Sequence, residues 1–160
     1  MHKLSRLGLI AIVVFACVGC DQVSKEMVRG HIALGHNESF LGDTIRLTHV
    51  ENSGAFLSVG ASLPQQARFA VFRVGVALIL LALVLYALFA RRLDAWSIGG
   101  LALLVGSGLG NLIDRMMQDG RVTDFLNVGF GPVRTGIFNV ADVIGVIGFA
   151  LLVLRNRPAR

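Results

Sequence analysis

The chain is poor in the residues on which many catalytic metal sites and nucleophiles depend. Among its 160 residues are four histidines, two cysteines and two lysines. The histidines all lie outside the long apolar runs and no H-E-x-x-H pattern occurs, so the sequence predicts no metal site and no cofactor. A serine–lysine hydrolase also lacks support, because Ser24 and Lys25 are adjacent and would point apart on a helix.

The two cysteines form a C-x-x-C near the N-terminus, at Cys17 and Cys20. A redox motif of this kind belongs in a soluble βαβ setting, which the sequence does not offer. A signal peptide with Cys20 as a lipid acceptor is an alternative, but three further apolar runs follow and a Leu-like residue is missing at position 17. We therefore expect an uncleaved first helix in which both cysteines are buried.

Charged residues are scarce, at 16% of the chain, although the formal net charge is +5. The cations lie mainly at the ends of apolar runs, where they anchor and orient helices. No basic stripe interleaved with exposed aromatic residues is present, which excludes a nucleic-acid partner.

Four long apolar runs dominate the chain, which has a mean hydropathy of +0.70. Most approach the roughly 20 residues that a helix needs to cross a hydrocarbon layer about 30 Å thick. The sequence therefore predicts an all-α membrane protein, a four-transmembrane-helix bundle formed by a single domain over residues 1–160. The helices are expected at about 7–29, 66–90, 95–115 and 137–155.

Basic residues cluster in three short segments that flank these helices. Short segments rich in Lys and Arg face the cytoplasm, so we expect both termini there and the longer segments, about 30–65 and 116–136, on the other side. The basic residues concerned are Lys3, Arg6, Arg91, Arg92, Arg155, Arg157 and Arg160.

The first outer segment contains an alternating stretch, TIRLTHV over residues 44–50, between turn residues at 42–43 and 52–54. Alternation with a period of two predicts a strand. We expect a small extended or β platform on the outer face, packed on the membrane surface. The second outer segment predicts a short hairpin or a re-entrant loop.

The third helix is rich in glycine, and Gly106 and Gly110 form a G-x-x-x-G pattern. Small residues at this spacing let two membrane helices approach closely. This face is therefore expected to pack against a neighbouring helix.

Polar side chains interrupt the outer ends of the apolar helices. Asp142 is expected about five residues into the fourth helix, about 8 Å below its start, with Asn139 on the same face. A carboxyl group at that depth costs several kcal/mol unless it is neutral, paired or hydrated. The other polar residues predicted at this level are Asn111, Asp114, Arg115, Asp21 and Asp124.

Simple explanations exist for some of these acids: Asp114 could be an interfacial anchor, Asp21 could end an apolar stretch, and Asp124 could be an ordinary loop acid. Two carboxyl groups close together in a low-dielectric site instead share a proton, which provides a general base and a general acid for activating water against an amide. A small transporter or proton-relay subunit also uses intramembrane acids. In a structural subunit, Asn139 and Asp142 would bond helices together.

Five motifs together resemble those of the bacterial lipoprotein signal peptidase family, also called signal peptidase II. They follow one another along nearly the whole chain, and the asparagine of the second motif stands one residue closer to its phenylalanine than in many members. The motifs are DQVSK at 21–25, ENSGAF at 51–56, GNLIDR at 110–115, V-x-D-F at 122–125 and FNVAD at 138–142.

This resemblance implies a metal-independent, intramembrane aspartic endopeptidase of the bacterial inner membrane, with its active site toward the periplasmic leaflet. It would cut a prolipoprotein before the diacylglyceryl-modified cysteine and be inhibited by the cyclic peptide globomycin. Asp124 and Asp142 match the catalytic pair, and we expect a monomer in contact with membrane lipids. The supporting or substrate-binding residues it implies are Asn111, Arg115, Asn139, Asp21 and Asn52, with Asp114 in the same motif as Asn111.

Overall fold

A computed structural model describes residues 2–55 and 58–155 of the chain. Helices make up most of it, and a π-helical section, Ala70–Gly75, joins two of them into one rod. Three residues used above, Phe56, Arg157 and Arg160, lie outside the described residues. The helices are α1 (Lys3–His31), α2 (Gln65–Phe69), α3 (Val76–Phe89), α4 (Ala95–Met117) and α5 (Val140–Arg155).

Three helical rods in the described part of the chain are long and apolar enough to cross a membrane: Lys3–His31, Gln65–Phe89 and Ala95–Met117. The mostly helical membrane architecture is therefore confirmed, with three candidate spans where four were predicted. The last helix, α5, has 16 residues, or about 24 Å at 1.5 Å per residue. Its predicted start at 137 is wrong, because the side chain of Asn139 caps the first turn and the helix begins one residue later.

Helix α4 lies at the centre of the bundle and packs against α1, α3 and α5. An apolar cluster fills the space between these helices, while large apolar side chains elsewhere on them face outward, as the 82% exposed Phe15 and the 69% exposed Val146 do. This distribution fits a bundle surrounded by lipid. The buried cluster consists of Ile10, Ala87, Ile98, Leu101 and Ala102.

Glycines allow α4 to approach its neighbours. A Cβ atom added to Gly106 would lie 2.6 Å from the Cβ of Cys17 on α1, and one added to Gly100 would lie 2.9 Å from the side chain of Leu152 on α5. The close packing expected at Gly106 is thus confirmed. The expectation of two buried cysteines is wrong, since the contact with α4 covers Cys17 but leaves Cys20 exposed.

Two polar contacts show which helix ends lie together. The guanidinium of Arg6, at the start of α1, donates to the carbonyl oxygen of Ala90 just after α3, at 2.6 Å. Arg155, at the end of α5, donates to the carboxylate of Asp94 just before α4, also at 2.6 Å. The three basic segments therefore lie at one end of the bundle, as the charge pattern indicates.

The two segments at the other end form one antiparallel sheet. Its strands are β1 (Asn37–Phe40), β2 (Ile45–Asn52), β3 (Val122–Phe130) and β4 (Val133–Arg134), in that order across the sheet. The strand expected around 44–50 is confirmed, and the second segment is a hairpin.

The position of this sheet brings the end of β2 close to Asp124. Val50 pairs with Asp124 and Asn52 with Val122, after an irregularity in register between Leu47 and Val50. On its bundle side the sheet packs against the end of α1 through Phe125. Asp124 is thereby held on the sheet next to the helix ends.

We predict that Gly106→Ala lowers the free energy of unfolding by about 1–3 kcal/mol, because the new methyl group forces α1 and α4 apart. The matched control is Gly99→Ala on the same helix, where an added Cβ meets nothing within 4 Å. Thermal unfolding in detergent measures both variants. Equal melting temperatures for the two would contradict the close α1–α4 contact.

Candidate active site

The two acids predicted as a pair lie on different elements. Asp124 belongs to β3 and is 4% exposed. Asp142 is the third residue of α5, so the expected depth of about five residues is wrong. Its carboxylate accepts the backbone N–H of Asn139 at 3.1 Å, and its own N–H donates to Oδ1 of Asn139 at 3.0 Å. This reciprocal arrangement is a capping box, which fixes Asp142 in the first turn.

Two asparagines connect the carboxyl groups of Asp124 and Asp142. Nδ2 of Asn139 donates to Oδ1 of Asp124 at 2.7 Å and to Oδ1 of Asn111 at 3.1 Å. Nδ2 of Asn111 in turn donates to Oδ1 of Asp142 at 3.1 Å. A continuous chain of hydrogen bonds therefore runs from one acid to the other.

Asn52 holds the second oxygen of Asp124. Its Nδ2 donates to Oδ2 of Asp124 at 3.0 Å, while its Oδ1 accepts the backbone N–H of Gly54 at 2.9 Å. The shortened spacing of its motif thus leaves Asn52 in contact with the acid. Both oxygens of Asp124 are occupied by amide donors from two separate segments.

A small cavity separates the two acids. Its volume is about 20 Å³, and one water molecule needs about 10–15 Å³. The cavity therefore has room for about one water molecule. Six of the eight predicted site residues line it: Asn52, Asn111, Arg115, Asp124, Asn139 and Asp142.

The remaining two predicted residues lie behind the cavity in a buried ion cluster. Asp21 and Asp114 contact the ammonium of Lys25 at 2.8 and 3.0 Å, and Lys25 also donates to Oδ1 of Asn111 at 2.9 Å. Asp114 is 1% exposed, so its interpretation as an interfacial anchor is wrong. Asp21 is fully buried and ion-paired, which overturns its interpretation as the mere end of an apolar stretch.

Each of these buried acids fixes the backbone beside one member of the pair. Oδ1 of Asp21 accepts the N–H of Ala141, next to Asp142, at 2.9 Å. Oδ2 of Asp114 accepts the N–H of Thr123, next to Asp124, at 3.0 Å. The ion cluster is therefore a positioning device for both acids.

Lys25, the cation of this cluster, is a residue that sequence reasoning missed. Its position next to Ser24 points only to serine–lysine chemistry, although the sequence holds a better signal. Lys25 stands four residues after Asp21, the spacing at which opposite charges meet on a helix.

Arg115 joins the cavity to the loop that follows β2. Its Nη2 donates to the carbonyl oxygen of Gly54 at 2.7 Å, and its guanidinium lies over the ring of Phe72, 5.5 Å from the centroid. Arg115 therefore holds the loop above the acids at a fixed distance.

Burial raises the pKa of Asp124 to about 6 from its ordinary value of 3.8, and the nearby charge of Asp142 acts in the same direction. The amide donors of Asn52 and Asn139 oppose this shift in pKa. Asp124 consequently binds a proton much more readily than an exposed aspartate does.

This shift makes folding stability depend on pH. Because the folded protein binds the proton of Asp124 more tightly than the unfolded chain, the resulting stabilisation is complete below about pH 4 and is lost as the pH rises through about 6. Two pKa units correspond to about 3 kcal/mol. We predict that Asp124→Asn lacks this part of the pH dependence. Melting temperatures of both proteins from pH 4 to 8 measure it, and parallel curves would contradict the raised pKa.

We further predict that Lys25→Met lowers the free energy of unfolding by about 3–5 kcal/mol, because two carboxylates stay buried without their cation. The control is Lys3→Met at the exposed start of α1, with an expected change below about 0.5 kcal/mol. Adding Asp21→Asn and Asp114→Asn to Lys25→Met should restore about half of the loss. Equal free energies of unfolding for Lys25→Met and Lys3→Met would refute the positioning role of Lys25.

Curated proteins with related sequences are lipoprotein signal peptidases. That of Streptococcus pneumoniae is 32% identical over 94% of this chain and 94% of its own length. That of Maridesulfovibrio salexigens is 35% identical over 96% of each chain. That of Treponema pallidum is 36% identical over 83% of this chain and 75% of its own.

The fold is likewise that of two bacterial membrane enzymes solved by the in meso method. The structure at 2.3 Å resolution has a TM-score of 0.80 and 24% identity, and covers 96% of this chain and 95% of its own. The structure at 1.9 Å has a TM-score of 0.77 and 26% identity over 92% of each chain. The family model described as signal peptidase (SPase) II matches residues 13–156. Since this match spans most of the sequence, the chain belongs to the signal peptidase II family.

Proposed function

We propose that this protein is a lipoprotein signal peptidase of the bacterial inner membrane and that Asp124 and Asp142 are its catalytic residues. The observation that carries the proposal is the water-sized cavity lined by both acids and crossed by the hydrogen bonds of Asn139 and Asn111. The substrate proposed is a prolipoprotein with a diacylglyceryl-modified cysteine, cut on the N-terminal side of that cysteine.

The proposed reaction uses one water molecule between the two acids. The ionised carboxylate takes a proton from the water, whose oxygen attacks the carbonyl carbon of the scissile peptide bond, while the protonated carboxyl gives its proton to the carbonyl oxygen. Collapse of the tetrahedral intermediate breaks the C–N bond, and the first acid returns its proton to the departing amine. The second acid takes back a proton from a hydroxyl of the intermediate as the carbonyl reforms, so the pair returns to its starting state. Water is thus added across the peptide bond, with no metal in any step.

The elevated pKa of Asp124 supports this division of labour, because a carboxyl that titrates near 6 exchanges its proton readily close to neutral pH. Asn139 and Asn111 hold the acids in place through their side-chain amides. Arg115 and Asn52, which both contact the loop after β2, hold this loop above the cavity. Globomycin is proposed to bind over the two acids, where the substrate would lie.

The proposed topology has four spans, with both termini in the cytoplasm and the sheet in the periplasm. Outward-facing Val146, Ile147 and Phe149 support α5 as the fourth span, since large apolar side chains facing out suit a lipid environment. A proton relay across the membrane receives no comparable support, because the described core between the two ends of the bundle is the apolar cluster around Ile98 and Leu101. The protein is proposed to act as a monomer.

We predict that Asp124→Asn and Asp142→Asn each reduce cleavage of a diacylated prolipoprotein by at least about 100-fold, because each variant removes one proton-transfer group. The assay is the gel shift on loss of the signal peptide, with purified enzyme in detergent. Asp43→Asn is the matched control, because Asp43 lies in the turn after β1 and pairs with Arg46.

This control should retain nearly full activity, since asparagine tolerates the positive φ of 70° at position 43. All three variants should keep the helical circular dichroism and the elution volume of the wild type. Turnover near the wild-type rate in a folded Asp142→Asn protein would refute the aspartic mechanism.

A further inference from the structure

A second cavity lies beside the aspartate cavity and has a different chemistry. It has a volume of about 420 Å³, within the range of small-molecule sites. Four arginines line it, together with a single acid, Asp119. The arginines are Arg68, Arg73, Arg115 and Arg121.

The arginines of this basic cavity are only partly neutralised. Arg68 donates to the carbonyl oxygen of Ala61 at 3.1 Å, and Arg121 pairs with Glu51. Arg73 lies over the ring of Phe69, 5.3 Å from its centroid, and has no ion pair within the described residues. The cavity therefore keeps an excess of positive charge facing its interior.

Arg115 contributes a buried donor that the described residues around it leave unpaired. It is 7% exposed, and its Nε has no hydrogen-bond partner among residues 2–55 and 58–155. A buried donor without a partner costs about 1–3 kcal/mol. The Nε has less than 1 Å² of accessible surface, so an acceptor in the basic cavity would satisfy it once the guanidinium turns toward the cavity.

The position of the cavity indicates what that acceptor is. Arg68 lies in the first turns of the rod Gln65–Phe89, and Arg115 lies two residues before the end of α4. These are the ends of two membrane-crossing helices, the level at which lipid phosphates lie. Phe69 and Phe72 form the apolar part of the wall.

The backbone around Arg73 is also specialised. Arg73 lies in the π-helical section Ala70–Gly75, and such insertions occur frequently at functional sites. On the opposite wall, a Cβ added to Gly120 would lie 3.2 Å from Nη2 of Arg73, and the φ of Gly120 is +88°. Glycine at this position therefore leaves room for the guanidinium.

The geometry points to a binding site for the phosphodiester of an anionic glycerophospholipid, held by Arg68, Arg73, Arg115 and Arg121. Guanidinium groups match phosphate oxygens by paired donors. A zwitterionic headgroup suits the site less well, since its amine would meet the same positive field. This site is separate from the cut peptide bond and does not depend on the proposed cleavage reaction.

The consequence of binding concerns Arg115, which lines both cavities. A phosphate in the basic cavity would give a charged partner to the guanidinium that holds Gly54 above the acids. The lipid would thereby be a structural component of the neighbouring site.

The test is equilibrium binding to the purified full-length protein in a neutral detergent at low salt. The probes are dihexanoyl phosphatidylglycerol, dihexanoyl phosphatidylcholine of the same chain length, and inorganic phosphate. We expect saturable binding of the phosphatidylglycerol, at least about tenfold tighter than of either other probe. Arg73→Gln should weaken this binding about tenfold, because it removes one charged donor, and Arg73→Lys should weaken it less.

The matched control is Arg92→Gln, an exposed arginine at the opposite end of the bundle. It removes the same charge and should change the dissociation constant less than about twofold. Equal weakening by Arg73→Gln and Arg92→Gln would overturn the site, since only net charge would then matter. Equal affinity for inorganic phosphate would overturn the lipid assignment, as would equal affinity for phosphatidylcholine.

Discussion

One ammonium group organises the polar end of this bundle. Lys25 is fully buried and contacts Asp21, Asp114 and Asn111, which satisfies its three donors. Asp21 and Asp114 in turn fix the backbone at the cavity. Asp21 accepts the N–H of Ala141, which precedes Asp142, and Asp114 accepts the N–H of Thr123, which precedes Asp124. A single cation on α1 therefore fixes the start of α5 and the strand β3 relative to each other.

Such a cluster is costly to build. Two carboxylates and one ammonium taken out of water lose hydration worth several kcal/mol each, and their attraction compensates only when the remaining donors and acceptors are also paired. Here backbone amides and Gln22 supply those bonds, the latter donating to Asp114 at 3.0 Å. Asp124, at the cavity, lacks such compensation. It is buried without a cation in contact, and its pKa is raised to about 6. Among the described residues, the same end of the bundle thus holds two acids that are paired with a cation and two that are not.

The sequence predicts the main elements because each has a local signal. Apolar runs mark the helical rods, and the alternation of residues 44–50 marks β2. The motifs name six residues that the fold brings to one cavity. The role of Lys25 also depends on Asp114 and Asn111, which are distant in sequence, so its spacing from Asp21 is only part of the signal. The depth of Asp142 depends on where the cap at Asn139 starts the helix, which an apolar run does not mark. The exposure of Cys20 depends on which face of α1 meets α4, and the apolar run alone leaves that open.

The GNLIDR motif illustrates how fewer than two helical turns can position many of the side chains of one site. A side chain at position 110 would collide with Asp21, because a Cβ there would lie 2.5 Å from Oδ2 of Asp21. Glycine avoids this collision. Asn111 donates to Asp142, Asp114 contacts Lys25, and Arg115 holds the carbonyl of Gly54. Each of these four positions serves a different neighbour, so a conservative change at any of them disturbs a separate contact. The spacing of the motif is therefore a consequence of the central position of α4, whose last turns face α1, α5 and the loop after β2 at once.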